Sequence, residues 1–341
     1  MKIYLGKSRF SRIVSRIVFK IIQRVYRLLK PQKHQHKDKR GQGSQYYGYV
    51  QYYNEYANKK VDEFLSTKGP CLVSKFGTIE LSHLLQQRLS EMQCYSLQAI
   101  KEFIKDEIPN LNWNTGVKSL CFNAGFFPND ATLLKKFYEE NLEAVRQIDI
   151  LGSYIVNEKY FDEELKGAIR VNLDGYYAPF FYDEPWTRRL KGKKVLVVHP
   201  FSEEIRTQYQ ERRRLIWKNP DVLPDFELIT YKAIQSMMGI KTEYETWFDA
   251  LNKMKDDISK INFDIALVGC GAYGMPLAAH CKKMGKKAIH LAGWTQILFG
   301  IIGTRWENNP QVSPFINEYW IHPSASNRPQ NAEKIENACY W

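Results

Sequence analysis

Nowhere do the 341 residues hold a CxxC pair or the Cys/His spacing of a zinc site, although cysteines stand at positions 71, 94, 121, 270, 281 and 339. Most of these lie in apolar runs, the setting of reduced, buried thiols, which excludes a disulfide scaffold and points to a reducing, cytoplasmic compartment. Residues 9–30 lack an uncharged stretch approaching the roughly 20 residues that a membrane span needs, and they lack the unbroken apolar run of a signal peptide. Acids are almost missing from positions 1–41, which carry 13 Lys/Arg against the single Asp38, whereas positions 42–341 carry 36 basic and 36 acidic residues. The net charge of +12 therefore belongs to one segment, and the neutral remainder argues against a nucleic-acid-binding face.

What is present is a globular composition, 44% hydrophobic and 14% aromatic, enough for one large core or two modest ones. Between residues 9 and 30 the apolar Phe10, Ile13, Ile17, Ile21, Val25 and Leu28 recur at three-and-four spacing, and Arg9, Arg12, Arg16, Lys20, Arg24, Arg27 and Lys30 recur opposite them. This predicts a basic amphipathic helix about 33 Å long. Seven positive charges without a negative one fit an anionic membrane surface, each contributing about 1 kcal/mol near the headgroups, which makes the protein peripheral on the inner face of the cell membrane; packing against its own body is the alternative. Pro31 stops the helix, and the polar residues 32–45 read as a mobile linker. The expected organisation is thus 1–45, helix and linker, and 46–341, an α/β domain with a mostly parallel sheet and helices on both faces.

That domain is organised around residues 261–299. The apolar run Phe263–Val268 reads as a buried parallel strand. Gly269-Cys270-Gly271-Ala272-Tyr273-Gly274 follows as a corner, then a helix through Leu277 and Cys281 to its C-cap Gly285, then a strand Lys287–Leu291. A glycine corner of this kind can aim backbone N–H groups and a helix N-terminus at a phosphate. Three readings stay open: a dinucleotide, a sugar-nucleotide diphosphate, or a tight corner without ligand. The first wants an acid about 20 residues on to hold a ribose, and no Asp or Glu occurs between Gly274 and Glu307.

Other strand ends carry candidate chemistry. Cys71–Phe76 reads as a strand leading through Gly77 into a helix that begins Thr78-Ile79-Glu80, which sets Lys75, Thr78 and Glu80 at a site edge; Glu80 has the plainer alternative of favouring the helix dipole. Val117–Phe122 reads as a strand, and Asn129 or Asp130 as the N-cap of a helix reaching Gln147. Strands at 148–151 and 169–173 precede the aromatic segment 176–186, whose Asp183 and Glu184 are candidate general bases if it is not a packing loop. Lys193–Val198 delivers His199 to its carboxyl end, followed by Ser202 and Arg206 on a helix. Phe226–Tyr231 is a further strand and Thr242–Lys260 a helix. After the glycine corner, Gln296 and a glycine loop bearing Arg305 are placed to close on a diphosphate.

The set VSKFGTIEL (73–81), VLVVHPFSEEIRTQY (195–209), the corner from Asp264 to Gly293, QILFGIIGTRW (296–306) and a terminal IENACYW resembles the GT-D-type glycosyltransferases of bacterial polysaccharide and glycoprotein assembly, over about residues 60–341. The resemblance implies a Rossmann-like domain that transfers a sugar from a nucleotide sugar, often UDP-linked, to a glycan or protein-linked acceptor. Family members carry R-F-G-D-G-E, with Mn²⁺ or Mg²⁺ at the D-x-E; here the segment reads Lys75-Phe76-Gly77-Thr78-Ile79-Glu80, which keeps the Glu and puts Thr78 at the Asp. Glu80 is then the expected catalytic and metal residue. The glycine corner (Gly269, Gly271, Tyr273, Gly274), Lys75, Gly77, Thr78, Ser202, Arg206, Gln296 and Arg305 hold the nucleotide sugar, and Asp183, Glu184 and His199 compete as acceptor base. The acceptor fits a lipid-linked surface glycan. A membrane-docked scaffold that keeps the fold without the chemistry, and an NAD-dependent oxidoreductase, are the other readings.

Overall fold

A computed structural model describes residues 9–30, 50–90, 92, 96–109, 116–328, 332 and 340–341. The expected linker 32–45, Cys94 and Cys339 lie outside the described residues. In chain order the elements begin with α1 Arg9–Leu29, α2 Asn54–Ser66, β1 Cys71–Ser74, α3 Thr78–Arg88, α4 Leu97–Ile104, α5 Lys118–Ala124, α6 Leu134–Val145, β2 Ile150–Gly152, β3 Ile169–Val171 and α7 Leu173–Tyr177. They continue with β4 Lys194–His199, α8 Ser202–Thr207, α9 Arg213–Ile216, β5 Glu227–Lys232, α10 Trp247–Ser259, β6 Ile265–Val268, α11 Gly274–Lys283, β7 Lys287–His290, α12 Trp294–Leu298 and α13 Thr304–Glu307.

The strands form one seven-stranded sheet in the order β3-β2-β1-β7-β6-β4-β5, and every pairing is parallel. A parallel sheet covered on both faces wants continuous apolar runs, and β1 and β6 are buried at each position. Alternate residues feed two cores. Leu72, Leu196, Ala266 and Ala288 face a layer built from α3, α6, α10 and α11, while Val73, Val195, Leu267 and Ile289 face α2, α7, α8 and α12. Helices following neighbouring strands thus leave from opposite faces: α11 follows β6 on one face and α12 follows β7 on the other. That divergence opens a crevice at the carboxyl edge of the sheet.

Two expectations need correction. Val117–Phe122 is no strand: residues 118–124 are helix α5, closed by Gly125 at φ +83°, with Val117, Leu120 and Ala124 buried on one side. A short apolar run does not separate the two periods, and the left-handed glycine C-cap decides here. The helix expected over 242–260 begins only at Trp247, where Thr246 and Asp249 form a capping box. Asp130 does cap, accepting from the Thr132 N–H at 2.9 Å, but the turn that it starts is a short 3₁₀ one ahead of α6.

Candidate functional site

A cavity of about 1080 Å³ lies along the carboxyl ends of β1, β7, β6 and β4. Each strand hands one corner to it: Lys75 to Glu80 after β1, His199 to Phe201 after β4, Gly269 to Gly271 after β6, and Ala292 to Trp294 after β7. Residues 234–237 close one side, and Arg305, Trp306, Tyr340 and Trp341 another. Glu80 is the one side-chain carboxylate among the described lining residues, and Lys75 and Arg305 are the two cationic side chains there.

Glu80 occupies the third position of α3, with its carboxylate folded back over the N-cap Gly77. A methyl group at Gly77 would sit 2.8 Å from Oε1 and nearer still to the other carboxylate atoms, so the glycine leaves the space in which the acid lies. Lys75 Nζ lies 5.4 Å from the Tyr154 ring centre, within cation–π range. Tyr154 donates its hydroxyl proton to the Phe76 carbonyl at 2.9 Å. Behind it Glu158, fully buried, accepts from the backbone N–H of Tyr154 and Ile155 and from Ser153; burial pushes its carboxyl up to about 7 despite those bonds. Across the cavity Arg305 lies 4.7 Å from the Tyr340 ring centre and donates to its hydroxyl at 3.1 Å.

Both histidines of the site are neutral. Burial pushes His199 down to about 3, and burial together with the charge of Lys75 does the same to His290. The Phe201 N–H donates to His199 Nδ1 at 3.0 Å, so the ring proton sits on Nε2. His199 is therefore a hydrogen-bond donor to the cavity, which corrects its expected role as a base. His290 Nδ1 meets the Ser74 hydroxyl at 3.1 Å, and Nε2, without a partner, lies against Gly274 at the start of α11. The positive end of that helix dipole favours a lone pair on Nε2 and hence the proton on Nδ1.

Of the sequence candidates, Lys75, Gly77, Thr78, Glu80, His199, Gly269, Gly271, Tyr273, Gln296 and Arg305 converge on the cavity. Gln296 and Tyr273 are committed to structure there: the Gln296 amide donates to the Ile301 and Tyr340 carbonyls, and the Tyr273 hydroxyl pairs with Ser236 while its ring stacks on Trp247. Asp183 and Glu184 do not reach it. Both are exposed, and Glu184 pairs with Arg188, because Pro185, Trp186 and the neighbouring Phe180 turn inward. Arg206 lies outside as well, bonded to Glu203 and Thr230, and Ser202 is buried beneath the lining. Gly274 packs on His290. The aromatic segment expected to stack on ligand mostly stacks on the protein: Tyr177 on Trp294 at 4.0 Å and Phe180 on Trp217 at 4.8 Å, with Tyr177 and Trp294 facing the cavity. Sequence reasoning missed His290, Tyr154 and the 308–311 loop.

The expected Mn²⁺ or Mg²⁺ finds few ligands. Among the described residues no three His, Cys, Asp or Glu side chains converge, and Thr78 offers a hydroxyl 3.4 Å from that of Tyr154. A hard divalent ion takes six or more oxygens, so one carboxylate does not fit a resident metal, and no step below runs through one. Comparison with protein-family models, with curated proteins and with solved structures finds no match to this chain. What fold and site define together is an α/β protein with a parallel sheet and a half-open, weakly cationic cavity at its carboxyl edge.

Proposed function

We propose that this cavity binds a nucleotide sugar, UDP-linked in the first instance, and that the chain is a GT-D-type glycosyltransferase acting on a growing, lipid-linked surface glycan. The observation that carries the reading is that one side-chain carboxylate and two cations line the same cavity, whose size of about 1080 Å³ is close to the top of the ~300–1,000 Å³ typical of small-molecule sites. Lys75, Arg305 and the glycine corner balance the diphosphate, and Trp294, held in the lining by its stack on Tyr177, borders the base or the sugar. The acceptor hydroxyl oxygen attacks the anomeric carbon, its proton passes to Glu80, and the bond to the diphosphate breaks with the electron pair leaving on phosphate oxygen. The N–H of neutral His199 donates to a donor-sugar or phosphate oxygen without adding charge.

A dinucleotide fits less well, since the strand end at His290 to Gly293 brings no acid to a ribose. The single carboxylate also suits a non-catalytic scaffold, so the test must separate binding from turnover. Thermal unfolding is measured with UDP, GDP, CMP and NAD, each with Mn²⁺ and with chelator, followed by turnover of the sugar nucleotide that corresponds to the best ligand. Ligand at 100 times its dissociation constant adds about 2.7 kcal/mol. Stabilisation by one nucleoside diphosphate with turnover supports the transferase; stabilisation without turnover supports the scaffold. Preference for NAD, or silence from all four, overturns both.

A further inference from the structure

Large apolar side chains are exposed very unevenly over this protein. Of the eleven such residues among the described ones, seven lie on α1 and two more, Leu97 and Ile104, on α4. The two helices are joined. Tyr26 of α1 donates its hydroxyl to the Ile104 carbonyl at 2.8 Å and meets the Phe103 ring edge-on, and Arg27 donates to the Pro109 carbonyl at 2.9 Å. Phe19 is buried in the core below. The anchoring side of α1 thus holds the helix to the body, while Ile17, Ile21, Val25 and Leu28 run as a stripe about 140° around the helix from Tyr26 and face outward. On α4, Leu97, Lys101 and Ile104 share the outer face, opposite the buried Ala99 and Phe103.

We propose that α1 and α4 together form a platform, fixed to the α/β body, that lies on an anionic lipid surface. A single mobile amphipathic arm would expose its apolar stripe alone; here a second helix, joined to the first through Tyr26 and part of the folded domain, exposes large apolar side chains as well, and such exposure gathered on neighbouring helices marks an interaction surface. The charge chooses the occupant. Lys20 and Arg24 are exposed beside the stripe, and Lys101 and Lys105 beside Leu97 and Ile104. The acids nearby are Glu102 on α4 and, after it, Asp106 and Glu107, which are paired with Lys159 and Lys105; α1 carries no acid at all and brings the excess of positive charge. Apolar side chains flanked by cations suit headgroups above acyl chains. No described helix is long and apolar enough to cross a membrane, so the contact is with one leaflet. This inference is independent of the sugar-transfer chemistry.

The test is co-sedimentation of the full chain with vesicles of phosphatidylcholine alone or with about one third phosphatidylglycerol, at low and high salt. The expected result is binding to the anionic vesicles that weakens with salt, reduced at least tenfold by Ile21→Glu/Leu28→Glu and also by Leu97→Glu/Ile104→Glu. The second pair is decisive because it lies outside the amphipathic arm. All four positions are exposed, so unchanged thermal unfolding and unchanged nucleotide stabilisation are expected and separate this result from failure of the sugar-nucleotide reading. Wild-type binding by the α4 pair overturns the platform. So does a protein that ignores anionic vesicles, whether it stays monomeric or self-associates through these helices in light scattering.

Discussion

Replacing Gly77 by alanine should silence Glu80 without touching it. The backbone at Gly77 (φ −79°, ψ 144°) is open to any residue, so the substitution adds no strain of its own. Alanine is a poorer N-cap than glycine by somewhat under about 1 kcal/mol, and the stiffer unfolded chain returns about 0.4–1 kcal/mol, so folding stability should shift by less than about 1 kcal/mol. The new methyl group does claim the space of the Glu80 carboxylate, whose Oε1 would lie 2.8 Å from it. Glu80 is only half-buried and flexible, so it swings out. If Glu80 takes the acceptor proton, Gly77→Ala and Glu80→Gln should each lower turnover at least tenfold, about 1.4 kcal/mol in the barrier. The double variant should lose no more than either single one, because both remove the same contact. The assay is kcat/KM for the four proteins with the sugar nucleotide found by the stabilisation screen, alongside urea midpoints. Losses that add, or an active Gly77→Ala beside a dead Glu80→Gln, refute the assigned position of the carboxylate; wild-type turnover in both removes Glu80 from the reaction.

Two further predictions concern the buried groups behind the site. His199 and His290 have folded values near 3, below the unfolded 6.5, so their stability contribution is full above pH 6.5 and falls as pH drops, by about 2 kcal/mol each between pH 7 and 5. Glu158, raised to about 7 from 4.5, acts oppositely, being most stabilising below pH 4.5 and regaining about 2 kcal/mol over the same interval. Wild type should therefore lose about 2 kcal/mol and Glu158→Gln about 4 kcal/mol in urea unfolding at the two pH values; equal losses contradict the opposing signs. Gly274→Ala, in contrast with Gly77→Ala, should destabilise by about 1–3 kcal/mol, since its methyl group meets the His290 ring, Cδ2 at 2.6 Å, and that buried ring cannot swing away. An unchanged melting temperature would show that the ring has room to move.

The sheet was legible where the physics is local. β1, β4, β6 and β7 are short apolar runs ending at glycine or histidine corners, and a doubly covered parallel sheet asks for that pattern. The 118–124 segment was not, because seven residues hold too few turns to separate one period from another, and the glycine that settles it stands outside the segment. The site divides in the same way. Lys75 to Glu80 and Gly269 to Gly271 follow from the rule that ligands gather beyond carboxyl strand ends. Asp183 and Glu184 carried plausible chemistry, but direction in the bend between two 3₁₀ turns is set by which neighbours bury, and Phe180 and Trp186 took the inner positions. His290 depends on Ser74, 216 residues away in sequence, and only the pairing of β1 with β7 brings them together.

The charge balance of the cavity makes a last, sharper demand on Thr78. With both histidines neutral, Lys75 and Arg305 outweigh Glu80 by one positive charge. A diphosphate can then be held by fixed cations, where a protein with two acids in this turn would need a metal to offset them. Thr78→Asp supplies the second acid. Position 78 is exposed and opens α3, where an acid is favoured by the helix dipole by about 0.3–1 kcal/mol, so the variant should fold. Its two carboxylates, with diphosphate oxygens and water, make a ligand set for Mn²⁺ or Mg²⁺. Nucleoside diphosphate should therefore stabilise the wild type equally with Mn²⁺ and with chelator. In Thr78→Asp the chelator should weaken binding at least tenfold, and Mn²⁺ should restore it. If wild-type binding already collapses with chelator, the two cations do not suffice and Glu80 works with a metal after all. If Thr78→Asp binds as well in chelator as the wild type does, the diphosphate does not lie over the first turn of α3.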